Sequence, residues 1–219
     1  MPTRRELLAL TPVAALISAR ALAGEAAAAA ADVNATEDLM REHGVLRRVL
    51  IVYEESASRF GKGNDPVEAI SAAAGIVKHF VEAYHEKLEE RFVFPRCEKH
   101  ATLGPLVATL RAQHDIGRKL TASILAEAER PPKTDRTALI HALGDFRRMY
   151  AAHAAREDTD LFPAFHALFT EKQFDALGDQ FEDEEHKLLG KDGFEGAVKE
   201  IAQIETSLGI ADLAVFSPS

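Results

Sequence analysis

The sequence predicts an all-α fold, an up-down-up-down four-helix bundle followed by two extra C-terminal helices. The composition is rich in Ala, Leu, Glu and Arg and contains no Trp, and these abundant residues form helices readily. No segment alternates between apolar and polar residues with the period of two that marks a half-buried strand. Short connections between the long helical segments favour antiparallel neighbours, which gives the bundle order.

Size and charge limit the classes of protein that fit this chain. It has 219 residues, of which 47% are hydrophobic and 28% charged. That is enough apolar material for a globular core and too much for a disordered chain. The net charge of −9 argues against nucleic acid as a partner, because phosphate binding needs a basic face. A single cysteine, Cys97, excludes an internal disulfide and a cysteine-rich zinc site.

The N-terminal segment 1–23 resembles a twin-arginine export signal. Arg4 and Arg5 precede an apolar run over residues 7–19, and a small-x-small sequence follows it, as in cleavable secretory signals. The run is shorter than the roughly 20 residues that cross a bilayer, so no membrane span is expected in the mature form. We expect cleavage after this segment, a location in the periplasm or outside the cell, and a flexible tail over 24–34.

The helix boundaries follow from turn and capping residues. Asp65 is predicted to cap a helix that has Pro66 at its first position, and Thr170 with Gln173 resembles a capping box. Breaks rich in Gly and Pro separate the segments. The predicted helices span residues 35–58, 66–92, 103–129, 135–158, 171–188 and 194–208. We assign the bundle domain to 35–163 and a C-terminal helical extension to 164–219.

The second and fourth helices share an approximate repeat. His85 is followed by Glu89 four residues later, and His153 is followed by Glu157 at the same spacing. In both helices an apolar Phe-Pro pair comes a few residues after the glutamate. The repeat suggests two related helix hairpins that face each other.

Each of the four long helices places one histidine on its apolar stripe. His43, for example, lies in line with Leu39 and Leu46 on one helix face. A carboxylate on such a stripe requires a counter-charge, and a His and a Glu four residues apart project side by side. Mixed imidazole and carboxylate ligands suit iron, manganese or zinc. The predicted metal ligands are His43, His85, Glu89, His114, His153 and Glu157.

The remaining histidines do not lie on these apolar helix faces, and the role of one of them, His186, is left open. His186 follows Glu182 by four residues in the fifth helix. The pair is either an extra metal ligand or an ion pair on the helix surface. The others are expected to face away from the core or to lie at helix ends: His79, His100, His141 and His166.

The six predicted ligands resemble the pattern of the hemerythrin-like family, also called the HHE cation-binding domain. The resemblance covers roughly residues 35–163. It implies a non-haem centre of two Fe ions inside a four-helix bundle, with carboxylates bridging the metals. It also implies that the ligand is oxygen, peroxide or nitric oxide. The C-terminal segment resembles an extension found in some bacterial members.

One position departs from the oxygen-carrying hemerythrins. Those proteins have a second histidine one turn after the histidine of the third helix, where this chain has Arg118. Reversible oxygen carriage is therefore not expected. Arg118 either lies at the mouth of the site or pairs with an acidic neighbour. Asp158 is an alternative to Glu157 as the bridging carboxylate, because oxygen carriers use its spacing from His153.

Two other classes of function compete with this interpretation. A di-iron oxidase, peroxidase or ferroxidase of the ferritin-like type needs Glu-x-x-His on two helices, and only Glu82 with His85 fits. A metal-free structural bundle is disfavoured by the carboxylates on the apolar stripes. The sequence leaves open the metal, the physiological ligand, turnover and the oligomeric state.

Overall fold

The computed structural model describes residues 33–62, 65–131, 134–190 and 193–218. The predicted export signal and nearly all of the predicted tail lie outside the described residues. Every regular element within these ranges is helical, which confirms the all-α fold. None of the helices in the described part of the chain combines the length and the hydrophobicity that a bilayer crossing requires.

The described residues form six main helices and a short final turn. Helix α2 is continuous over residues 67–97 and α4 over 137–166, so both run past their predicted ends near 92 and 158. The other elements are α1 (Ala35–Arg59), α3 (Gly104–Ala128), α5 (Glu171–Leu189), α6 (Gly193–Leu208) and a 3-10 turn at Leu213–Phe216.

Helices α2 and α4 each continue through a proline because a π-helical turn, which is wider than an α-helical turn, precedes that proline. The amide of Phe94 donates to the carbonyl of Glu89, and the amide of Phe162 donates to the carbonyl of Glu157. Each bond spans five residues, as in a π-helical turn. The following proline then stands at the start of a new α-helical turn, where its missing N–H costs little. The predicted ends of these helices at residues 92 and 158 were therefore too early.

One of the two predicted caps is confirmed. The backbone N–H of Thr170 donates to Gln173 Oε1 at 3.0 Å, within a complete capping box. The other prediction was wrong, because the helix begins at Val67 without a side-chain cap. The carboxylate of Asp65 lies instead 3.7 Å from Arg136 Nε.

The first four helices enclose the core. Helix α1 packs against α2 and α4, and α3 packs against the same two helices. Tyr53 of α1 contacts Phe146 of α4, whereas His43 contacts Phe162 further along α4, so these two helices run in opposite directions. The end of the core near Tyr53 is mostly apolar, and the buried histidines and glutamates lie toward the end near His43. Helices α5 and α6 lie against α1 and α2.

Candidate metal centre

The structure brings all six predicted ligands together at one end of the bundle. Each is buried, with no more than 3% of its surface exposed. Helix α1 contributes one histidine, α3 another, and α2 and α4 each contribute a histidine and a glutamate. The residues are His43, His85, Glu89, His114, His153 and Glu157.

The four imidazoles form two pairs. The ring centres of His43 and His85 lie 4.8 Å apart, and those of His114 and His153 lie 5.0 Å apart. We call these pairs the His43/His85 half and the His114/His153 half. Glu157 Oε2 lies between the halves, 3.4 Å from His43 Nε2 and 3.0 Å from His153 Nε2.

Glu89 joins the two halves in the same way. Its Oε1 lies 3.6 Å from His85 Nε2, and its Oε2 lies 3.3 Å from His114 Nε2. Each carboxylate therefore touches one imidazole of each half. In the described residues, donor atoms close enough to share an ion form three groups. One consists of His43, His85 and Glu89, and another of Glu89, Glu157 and the second imidazole pair; the third, Glu86 with Glu90 and His114, lies on the outer side of His114.

Several atoms that face this space have no hydrogen-bond partner. They include both carboxylate oxygens of Glu89, both of Glu157, and the Nε2 atoms of His43 and His114. Burying polar atoms without partners is costly. Lone pairs from imidazole and carboxylate are the donors that divalent iron, manganese and zinc accept. The residues present therefore fit a metal site, and metal coordination would satisfy these atoms.

The other ring nitrogen of each of the four histidines, Nδ1, forms a hydrogen bond to a neighbouring side chain. His43 Nδ1 donates to Asp158 Oδ1 at 2.7 Å, and His85 Nδ1 donates to Glu42 Oε2 at 2.6 Å. These bonds fix the ring orientation and turn Nε2 toward the centre, where its lone pair would be available to a bound metal while Nδ1 keeps its proton.

The second half repeats the arrangement with one chemical difference. His114 Nδ1 donates to Glu90 Oε1 at 3.1 Å, and His153 Nδ1 donates to Gln113 Oε1 at 3.0 Å. Three of the four outer partners are therefore carboxyl groups, and the fourth is a neutral amide.

A π-helical turn begins at each of the two predicted ligand glutamates, and α2 has a further π-helical stretch over Val77–His85 that α4 does not repeat in the described residues. Glu89 and Glu157 follow His85 and His153 by four residues, so each His-Glu pair projects from one helix face. Wide turns of this kind are frequent at functional sites. The local repeat noted in the sequence is thus a repeat of backbone geometry as well as of side chains.

The charges of the centre are strongly coupled. Burial opposes the protonated form of His43, but contacts with Asp158 and Glu157 outweigh it and raise the pKa of His43 to about 10. His114 behaves alike, and its carboxylate neighbours raise its pKa to about 10. Burial also opposes the charge of Glu157, but His153 and His43 hold its pKa well below its usual range.

Arg118 lies behind the centre and pairs with acidic residues. Its Nη2 is 2.6 Å from Glu86 Oε2 and 2.5 Å from Glu90 Oε1. Tyr150 also donates from its hydroxyl to Glu86 Oε1 at 2.7 Å. A Cβ at Gly117 would overlap that hydroxyl, so the glycine makes room for it. Of the two predicted locations, the structure supports the acidic pairing.

The structure separates the open alternatives for Glu157, Glu82 and His186. Glu157 faces the imidazoles, whereas Asp158 lies behind His43 and pairs with Arg47. Glu82, the glutamate of the single Glu-x-x-His match, belongs to none of the His and carboxylate groups formed by the described residues. His186 is exposed on α5 and is likewise outside these groups.

The other histidines lie away from the centre. His79, His100 and His141 are exposed, and His166 is half-buried against Phe174. The outer partners of the ligand histidines were missed by sequence reasoning. Each partner directly adjoins a predicted ligand in the sequence, and this adjacency is the signal that was available: Glu42, Glu90, Gln113 and Asp158.

Comparison with known proteins is consistent with this site. The sequence model described as the hemerythrin HHE cation binding domain matches residues 34–165. Uncharacterized proteins of Mycobacterium tuberculosis and Mycobacterium bovis are 42% identical over 191 residues, which is 85% of this chain and 75% of theirs. No solved structure matches the chain.

Proposed function

The chain belongs to the hemerythrin HHE cation-binding domain family, and we propose that its centre holds two non-haem iron ions. The observation that carries this proposal is the pair of shared carboxylates. Each of Glu89 and Glu157 contacts one imidazole from each half, and neither has a hydrogen-bond partner. One ion would leave half of these donors unused.

In this proposal, each half of the centre holds one ion through two imidazole Nε2 atoms. His43 and His85 bind the first, His114 and His153 bind the second, and the carboxylates are shared. The outer hydrogen bonds hold the rings in place before metal arrives, so little reorganisation is needed. When bound, the irons would supply the binding and redox chemistry for a small ligand.

We propose that the loaded protein binds or senses oxygen, peroxide or nitric oxide. Arg118 is hydrogen-bonded to Glu86 and Glu90. It stands at the position where oxygen carriers have an additional histidine, so that ligand is missing here. A metal with two imidazoles has room for an exogenous ligand. Slow consumption of peroxide is expected in place of reversible oxygen storage.

Metal analysis with an optical spectrum tests the proposal. Protein purified aerobically from its native host is expected to contain close to two irons per chain. It should also show absorption bands that change on addition of azide or nitric oxide. A preparation with only zinc, at one ion per chain, would contradict the di-iron centre. An oxygen adduct that forms and then releases oxygen under vacuum would contradict the expected ligand chemistry.

We also propose that the protein is exported by the twin-arginine route, which carries folded proteins and therefore suits a centre loaded before export. The support is the paired Arg4 and Arg5 ahead of a short apolar run. Replacing both arginines by lysine is expected to leave the precursor inside the cell. Unchanged export of that variant would contradict this route.

A further inference from the structure

The predicted ligands are all buried, so a metal ion has to pass an outer layer of side chains to reach them. On the side of His114 this layer contains two carboxylates, Glu86 and Glu90. Their oxygen atoms and a ring nitrogen of His114 lie close enough together to share one ion. The outer layer at this point therefore has the donor atoms of a cation site.

The guanidinium of Arg118 occupies this outer position. Its Nη2 lies 2.6 Å from Glu86 Oε2 and 2.5 Å from Glu90 Oε1, so the two carboxylates share one nitrogen. A positive group held in this way shows that the position stabilises a cation. Arg118 is half-buried and Glu86 is almost fully buried, so the arginine separates this carboxylate from solvent.

Arg118 has a further partner closer to solvent. Its Nη1 lies 3.4 Å from Oδ1 of Asp115, which is exposed and lies one turn earlier on α3. Rotation of the long side chain toward Asp115 would keep this ion pair and release both Glu86 and Glu90. Lys87 also contacts Glu90, but it reaches the other oxygen, Oε2, and is exposed.

The carboxylates of α2 lead from this position to the centre. Glu86 precedes Glu89 by three residues and Glu90 by four, so it is a neighbour of both on the helix surface. His114 contacts both layers, since its Nδ1 lies 3.1 Å from Glu90 Oε1 and its Nε2 lies 3.3 Å from Glu89 Oε2. The carboxylate oxygens of Glu89 are buried without a hydrogen-bond partner, so the path ends at donor atoms that fit a cation.

The outer partners of the other three histidines are arranged differently. Asp158 and Glu42 each provide a carboxyl group, and Gln113 provides an uncharged amide. Within the described residues, none of these three belongs to a group of donor atoms close enough to share an ion. The side of His114 is thus where an outer cation site adjoins the centre.

We propose that Glu86 and Glu90 form an outer site for a divalent cation through which metal enters the centre, and that Arg118 closes this site until it turns toward Asp115. This inference rests on the proposed metal centre. In the closed position the guanidinium neutralises the two carboxylates. In the open position their oxygens are free to bind the entering ion and to pass it to Glu89.

The test is the rate at which the metal-free full chain takes up Co²⁺, a coloured probe that accepts imidazole and carboxylate donors. Stopped-flow absorption measures the rate, and metal analysis measures the final content. Arg118→Gln is expected to load about tenfold faster, because a charge-assisted hydrogen bond that must otherwise break is worth about that factor.

Arg47→Gln is the matched control. It removes the same charge and frees the carboxylate behind His43, so it should show only the small gain that any lost positive charge gives. Equal acceleration in the two variants would overturn the proposal.

A double variant separates an opened site from a loosened bundle. Adding Glu90→Gln to Arg118→Gln removes a carboxylate of the outer site and should abolish most of the gain in rate. Loading that stays fast in the double variant would mean that Arg118→Gln acts by loosening the packing, and the proposal would fail.

An exposed position keeps the proposal testable should these variants fail to fold. Asp115→Asn removes the partner toward which Arg118 opens, and loading should slow roughly threefold, the range of a surface ion pair. Asp179→Asn removes the same charge from an exposed position on α5 and is the control. Equal rates in these two variants would also overturn the inference.

Metal content distinguishes failure of this inference from failure of the proposed function. A parent protein that takes up metal at a rate unaffected by residues 115 and 118 retains the centre and loses the entry site. A parent protein that never takes up metal loses the centre itself, and the entry site with it.

Discussion

Buried carboxyl groups occur in two neighbouring regions of the molecule, and their surroundings are opposite. In the metal centre, Glu157 faces His153 and His43, which lower its pKa despite burial. Beside the centre, where α1 meets α5, Asp38 and Glu42 face other carboxyl groups. Burial, reinforced by the neighbouring acids, raises the pKa of Asp38 to about 7 and that of Glu42 to about 8.

The comparison shows that burial alone does not set the charge of a core carboxyl group. Both regions are shielded from water, so burial raises the pKa in each. At Glu157 two imidazoles outweigh burial, whereas the single contact with His85 Nδ1 does not outweigh it at Glu42. In the second region the negative charge of Glu185 adds to burial and raises the pKa of both Glu42 and Tyr84. Negative charge is thus favoured at Glu157, inside the centre, and disfavoured at Asp38 and Glu42, beside it.

The largest effect is expected from Glu157→Gln, which removes the charge that joins the two halves. The iron content should fall by at least half, as measured by metal analysis. The metal-free variant should lose roughly 3–5 kcal/mol of unfolding free energy in urea, because breaking a buried ion pair leaves its partner uncompensated.

A variant of the apolar end provides the control for this loss of stability. Leu139 is fully buried and precedes His153 by about 21 Å along α4. Leu139→Ala should cost about 2–5 kcal/mol and leave the iron content unchanged. Full iron content in Glu157→Gln would contradict the assigned role of this carboxylate.

A smaller effect is expected from Arg118→Gln, which removes the cation that compensates Glu86. Because Glu86 is almost fully buried, the loss of this charge-assisted bond should cost about 1–3 kcal/mol. Arg111→Gln is the matched control, since Arg111 pairs with Glu98 at the exposed surface and such pairs are worth at most about 1 kcal/mol. Equal urea midpoints for the two variants would show that Arg118 has no special role.

The only gain in stability is expected from Asp38→Asn. The folded chain holds the Asp38 proton up to about pH 7, whereas an unfolded chain releases it near pH 4. Stability therefore falls as the pH rises from about 4 to 7, and the penalty is complete above that range. The variant should remove this penalty, with an upper limit of about 4 kcal/mol.

The gain should appear at pH 8 and be nearly lost at pH 4, where Asp38 is protonated in the folded chain and about half protonated in the unfolded chain. Urea unfolding at the two pH values measures it. Asp179→Asn removes the same charge from an exposed position on α5 and should change little at either pH. A gain that is equal at pH 4 and pH 8 would contradict the assigned cause.

The sequence by itself determined the helical fold and which six residues, the predicted metal ligands, lie on the inner helix faces. Both follow from local periodicity, since residues four apart on a helix share a face whatever the helix packs against. The His85–Glu89 and His153–Glu157 pairs are therefore visible without a structure. The single histidines of α1 and α3 are visible because apolar residues at helical spacing surround them.

Only the tertiary structure decided which groups support those ligands. His43 and Asp158 are 115 residues apart in the chain, and His153 and Gln113 are 40 apart. Each outer partner adjoins a ligand in sequence and so lies about 100° around the helix from it, off the apolar stripe. Whether such a residue meets solvent or a neighbouring helix depends on the rotation and packing of that helix.

Packing between helices also decides which of two neighbouring residues faces the centre and where the side chain of Arg118 lies. Glu157 and Asp158 are neighbours in the chain, and the wide turn that begins at Glu157 accompanies their separation into an inner and an outer position. Arg118 is one turn from His114, yet its guanidinium is held by two acids of α2. Helix periodicity is a property of the chain alone, whereas contacts across helices exist only once the bundle has packed.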